Sequence, residues 1–108
     1  MNILETFETF RGDTFIKEIN FEDGYKFKSG DIIKIAVIDN MDSNILFEDK
    51  KEFVEETESY ELKIVPEKTR LFPIRELLLE IEVTIDTDFV HTSQYILDVK
   101  EDGIIWVR

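Results

Sequence analysis

Apolar and polar residues alternate through most of the second half of this chain. Residues 60–66, 79–86 and 89–99 keep the alternation, with short turn-like breaks between them. A period of two is what a half-buried strand requires, because successive side chains point to opposite faces of a sheet. The pattern therefore predicts antiparallel β-structure in this half.

The first half carries the same signal less regularly. Ile3, Leu4, Phe7 and Phe10 are spaced as on a helical turn, whereas Thr6, Phe7, Thr9 and Phe10 favour a strand. Arg11-Gly12-Asp13 breaks this run, and Phe15, Ile16 and Ile19 resume it over residues 14–21. Asp23-Gly24 reads as a turn, and Ser29-Gly30-Asp31 as a second break. Residues 32–38 give the strongest single strand signal in this half. A polar turn at 39–44 leads to a short strand at 45–48. The charged stretch 50–59 is open between a strand centred on Phe53-Val54 and a helical turn.

Residues 71–82 admit two readings. Pro73 at a first helical position, followed by Ile74, Leu77, Leu78 and Ile81, would suit a helix. Leu79, Ile81, Val83 and Ile85, however, alternate without a miss with Glu80, Glu82, Thr84 and Asp86. Three of those four inward positions are β-branched, which favours a strand. The expectation is a turn around Pro73 and a strand from Leu77. A hairpin connection near residues 86–88 then leads to the strand at 89–99. Glu101-Asp102-Gly103 turns the chain into a last strand at 104–107. Seven or eight short strands with regular turns predict an all-β, immunoglobulin-like antiparallel sandwich, a single domain over residues 1–108.

Composition narrows the function classes. With 108 residues, 43% of them hydrophobic and nine of them Phe, the chain can bury a modest core. No apolar run approaches the roughly 20 residues of a bilayer span, and no signal-peptide pattern opens the sequence. A cytoplasmic product without membrane insertion is expected. Cysteine is absent, which removes disulfides, thiolate metal sites and thiol nucleophiles, and the single histidine, His91, cannot form a paired-imidazole site. Lys and Arg number 13 against 25 Asp and Glu, a formal net charge of −12. A field of that sign repels phosphate backbones and anionic membranes, so direct nucleic-acid binding is not expected. It also suits an acidic mimic of DNA.

The motifs that carry chemistry elsewhere have plainer readings in this chain. Arg11-Gly12-Asp13 spells an adhesion tripeptide but lies where a turn is needed. The 39–50 stretch has Met41, Asn44 and Lys50 at the third, sixth and twelfth positions of an EF-hand-like frame, which wants an oxygen ligand, glycine and glutamate there. Glu55, Glu56, Glu58 and Glu61 form an acidic run suited to a solvated face and to blocking edge-to-edge aggregation. No catalytic residue, metal site or cofactor site is assigned. Lys68, Arg70 and Arg75 make a small basic island between two strands, a docking point for an acidic partner or local charge compensation. Trp106 on the last expected strand reads as an interface or core anchor, with sugar stacking as the other use of an exposed indole.

Several of these segments recur in a fixed order. Arg11-Gly12-Asp13-Thr14-Phe15 opens a strand, and Ser29-Gly30 precedes the strand at 31–37. Leu62-Lys63-Ile64-Val65-Pro66-Glu67-Lys68-Thr69 follows a variable middle, then His91-Thr92 with Tyr95, and finally Val99-Lys100-Glu101-Asp102. This order resembles the N-terminal Ig-like domain of phage baseplate upper proteins and related tail proteins from phages and prophages of Gram-positive bacteria. It covers roughly residues 6 to 104. One departure is the stretch Arg75-Glu76-Leu77-Leu78-Leu79-Glu80, where those domains carry a glycine- and tyrosine-rich segment ending in Tyr-Asp.

The resemblance implies a non-enzymatic structural or adaptor subunit of a phage tail or baseplate, cytoplasmic until assembled into the virion. Its partners would be other tail or baseplate proteins, or further copies of itself. Because family proteins commonly continue into further domains, a stand-alone form would be a peripheral subunit rather than a receptor-binding tip. Arg70, Phe72, Arg75 and Trp106 are the expected protein contacts, the two arginines steering and the two aromatics anchoring. Glutamate at both arginines is expected to weaken docking without unfolding the domain. The alternatives are a carbohydrate-binding module for a host surface and an acidic DNA-mimic inhibitor.

Overall fold

The computed structural model describes residues 4–21, 25–86 and 89–101. Its seven strands are β1 (Thr6–Phe10), β2 (Phe15–Ile19), β3 (Ile32–Asp39), β4 (Asn44–Glu52), β5 (Tyr60–Ile64), β6 (Glu76–Ile85) and β7 (Phe89–Lys100). One helical turn, α1 (Pro66–Thr69), lies between β5 and β6.

The strands form a five-stranded sheet in the order β1-β7-β6-β3-β4 and a two-stranded sheet of β2 and β5. All neighbours are antiparallel except β1 and β7, which run parallel. This is an all-β architecture of two sheets packed about one core. Its strands divide five and two among the described residues, where an immunoglobulin constant domain divides four and three.

Alternation explains why the layers meet. On β3, Ile33, Ile35 and Val37 are buried while Lys34 is exposed; on β6, Leu77, Leu79, Ile81, Val83 and Ile85 are all buried. These residues face Phe15, Ile19, Leu62 and Ile64 of the smaller sheet. Apolar side chains on two inner faces must bury each other to leave water, which holds sandwiches together. Phe27 and Phe53 complete the core as a stacked pair with centroids 4.5 Å apart.

Several boundaries differ from the sequence pattern. β4 runs on to Glu52, through the charged stretch whose form was open. Only its exposed, polar edge faces solvent there, so hydrophobicity does not mark its end. Beyond it Phe53 turns inward, and Phe27 bridges to Thr57. A helical turn that the pattern did not predict begins at Pro66, with proline occupying the first turn, where its missing N–H removes no bond, while the segment around Pro73 is the expected turn. β6 starts at Glu76, in keeping with a strand reading of this region. The expected hairpin connection at 86–88 joins β6 to β7, which pair antiparallel up to Ile85 and Phe89, with Asp86 at φ of 55°. Residues 87–88 of it, the expected turn at 23–24, and the strand at 104–107 with Trp106 lie outside the described residues.

Candidate functional site

Two of the segments singled out in the sequence meet in space. Gly12 takes φ of 91° in the turn between β1 and β2, a backbone region that a Cβ disfavours. Its N–H donates to Thr69 Oγ1 at 3.1 Å, and the Thr69 hydroxyl donates to the Asp13 carbonyl at 2.7 Å. Thr69 is fully buried at the end of α1. The adhesion-like tripeptide is therefore one half of a latch between two chain crossings, and Gly12 is in it for its backbone.

The basic island is divided by the fold. Arg70 caps α1 and keeps its side chain at the surface. Arg75 instead reaches Asp39 at the end of β3, donating from Nε to Oδ1 at 3.2 Å and from Nη2 to Oδ2. Hydrogen bonds from this guanidinium hold the Asp39 carboxyl below the ordinary carboxylate range against the effect of burial, and the Met41 N–H assists. Asp39 is 3% exposed and takes Arg75 as its ion-pair partner, while the arginine itself remains exposed. Phe72 is 1% exposed, a core residue and not a surface anchor. Its expected contact role is corrected on that ground. The loop from Arg70 to Arg75 tucks its aromatic ring into the core cluster, because burial removes that apolar surface from water. Of the four expected contacts, Arg70 alone is a free surface cation among the described residues, and Trp106 lies outside them.

Two other polar positions have structural work. Asp31, 1% exposed, accepts from Tyr25 Oη at 2.7 Å and from the Lys28 N–H at 3.0 Å, with the Asp86 N–H at 3.4 Å. Burial works against its ionisation, yet these donors and the Lys28 charge bring its pKa below the ordinary value. Tyr60 donates to Asp49 Oδ2 at 2.6 Å; burial first, then that carboxylate, push the phenol up to about 12. His91 is exposed and meets Phe21 edge to face, with centroids 5.5 Å apart. Among the described residues no group of three or more acidic or histidine side chains is arranged to hold a metal ion.

The outer face of the five-stranded sheet is the feature that sequence reasoning missed. Ile45, Ile38, Leu78 and Ile96 are register partners on β4, β3, β6 and β7, and Thr6 continues the row on β1. Ile45 is 56% exposed, and the other three isoleucine and leucine side chains are half-buried. A bulge between Val37 and Ile38 brings Ile45 opposite Ile38. On one side of the row stand Glu8, Asp98 and Glu76, again in register, and on the other Glu80 and Glu48 flank the small Ala36. A shallow groove of about 510 Å³ opens there, with Ala36, Ile38 and Ile45 in its lining. The signal was present as single apolar residues at outward positions, but only strand order aligns them.

Comparison with known proteins gave no match to a family model, to a curated protein sequence or to a solved structure.

Proposed function

We propose that this protein is a non-enzymatic structural or adaptor subunit of a phage tail, baseplate or prophage-derived particle, and that it acts by binding neighbouring subunits. The observation that carries the reading is the Thr69 latch. The two short segments on which the family resemblance rests most, 11–15 and 62–69, are joined through one buried hydroxyl. Their spacing in sequence thus has a common structural reason, as a domain-wide resemblance requires. An outward apolar row and a β4 edge with no strand beside it among the described residues also suit a module that works by surface contact. On this reading the protein stays in the cytoplasm until it joins the particle.

The test is a tagged pull-down from induced producer cells with the co-purifying proteins identified by mass spectrometry. Recovery of tail or baseplate components is the expected result. Recovery of a nuclease or DNA-binding protein without them would replace this reading with the acidic DNA mimic. Recovery of neither, with tryptophan fluorescence changing on addition of cell-wall glycans, would replace it with carbohydrate binding.

A further inference from the structure

We infer that the outer face of the five-stranded sheet is a docking site for a basic amphipathic helix of a partner protein. The inference rests on the assembly reading only in taking a protein as the occupant. Ile45, Ile38, Leu78 and Ile96 form an unbroken apolar row across four adjacent strands, and none of them packs into the core. With Thr6 the row crosses the whole sheet. At about 4.8 Å per strand its length is about 19 Å. A helix of about 13 residues has that length, and its turns repeat at about 5.4 Å, close to one anchor per strand.

Charge selects the occupant. Carboxylates border the row on both sides, from Glu8, Asp98 and Glu76 on one and Glu80 and Glu48 on the other. Lys100 offsets part of the first group through its 3.0 Å pair with Asp98. Lys34 and Lys50 line the far end of the groove beyond Ala36, with Lys34 3.9 Å from Glu82, so the carboxylates next to the apolar row itself set the local sign. An apolar centre inside an acidic rim matches a helix with an aliphatic stripe flanked by Lys and Arg. A second copy of this chain is a poor fit. Face-to-face pairing would oppose carboxylate rows on two molecules of net charge −12 each. Cross-strand apolar pairs also stabilise a sheet by themselves, and that role alone would not produce selective binding.

The experiment uses the full chain labelled with nitrogen-15 and titrated with a synthetic 14-residue helical peptide carrying a Leu/Ile stripe flanked by Lys. A second peptide keeps the same stripe with Glu in place of Lys. The expected result is amide shifts centred on Ile38, Leu78 and Ile96 with the basic peptide, and no binding of the acidic one. The double variant Glu48→Lys/Glu80→Lys, at solvent-facing positions, should bind the basic peptide about tenfold or more weakly while keeping the wild-type thermal midpoint within a few degrees. Leu78→Lys serves as a second variant for the apolar part.

Shifts that map to another face, or equal binding by wild type and both variants, would overturn the proposal. So would concentration-dependent dimerisation through this row in sedimentation. The tail reading fails separately. If the double variant still recovers tail proteins as wild type does, the face is wrong and the tail reading stands. If wild type recovers none while the peptide binds the row, the face stands and the tail reading falls.

Discussion

The backbone N–H of Gly12 donates to Thr69 Oγ1 at 3.1 Å, and the same hydroxyl donates to the carbonyl of Asp13. One side chain thereby ties the crossing from β1 to β2 to the crossing from β5 to β6. The crossing from β1 to β2, residues 11–14, has no apolar residue of its own, so the hydroxyl fixes where it turns. Valine at position 69 fills the same volume and removes both bonds, leaving the half-buried Gly12 N–H and the Asp13 carbonyl without that partner. Thr69→Val should destabilise the domain by about 1–3 kcal/mol, and serine should recover most of it. Chemical denaturation of the three proteins measures this, and an unchanged midpoint in Thr69→Val would refute the latch.

Phe72 lies in the core at the foot of this loop. Truncation removes a large buried ring and opens a cavity, so Phe72→Ala should cost about 3–5 kcal/mol. A contact residue would instead weaken partner binding while the melting curve stayed in place. Thermal unfolding followed by circular dichroism separates the two.

Arg70 and Arg75 should respond differently to the same change. Arg70→Glu alters an exposed side chain and should move stability by no more than about 0.5 kcal/mol. Arg75→Glu sets a carboxylate against Asp39, which is buried and loses its partner. It should lower the midpoint clearly more than Arg70→Glu. Equal midpoints would mean that the Arg75 pair contributes nothing in solution. A docking defect in the doubly substituted protein therefore has to be read against its stability.

Acid should weaken the fold partly through Asp31. Its folded pKa lies below the ordinary 3.8, because N–H and O–H donors around it outweigh the effect of burial. A depressed carboxyl stabilises the native state fully above its unfolded pKa and loses that contribution as pH falls through the folded value. Stability should thus fall below about pH 4. Asp31→Asn should be less stable than wild type at pH 7, with the gap narrowing in that acid window. Melting midpoints across the range test it, and a gap that stays constant would exclude the linkage.

Tyr60 gives the opposite sign at the alkaline end. Its phenol moves from an ordinary 10 to about 12, so its contribution is complete below pH 10 and disappears as pH rises toward 12. Absorbance titration of tyrosinate should show a late-titrating component that is missing in Tyr60→Phe. Asp49→Asn should bring that titration earlier by removing the carboxylate that accepts its proton. A titration unchanged by either substitution would assign the late group elsewhere.

Much of the fold is legible in strand periodicity because each inward residue is apolar and each outward one mostly polar. β3 and β6 were readable for this reason, and Leu77 to Ile85 needed no tertiary information beyond alternation. The end of β4 was not, since Asp49 to Glu52 are solvent-facing on a sheet edge and polar chemistry leaves strand and loop alike. Among the expected contacts, Phe72 was misplaced. Phe72 and Arg75 share a loop with Arg70, and nothing in the residue types tells a plug or an ion pair from a surface.

The sequence by itself determined an all-β chain, its inward and outward parities, the turns at Gly12 and Gly30, and an acidic surface of net charge −12. Those are local or summed properties, fixed by backbone sterics, side-chain period and charge. Only the tertiary structure decided which strands are neighbours. That choice joined Gly12 to Thr69, paired Arg75 with Asp39, and lined up Ile45, Ile38, Leu78 and Ile96 across the outer face. Residues far apart in sequence acquire a common site only when strand order and register bring them within contact distance. No periodicity within one segment carries that information.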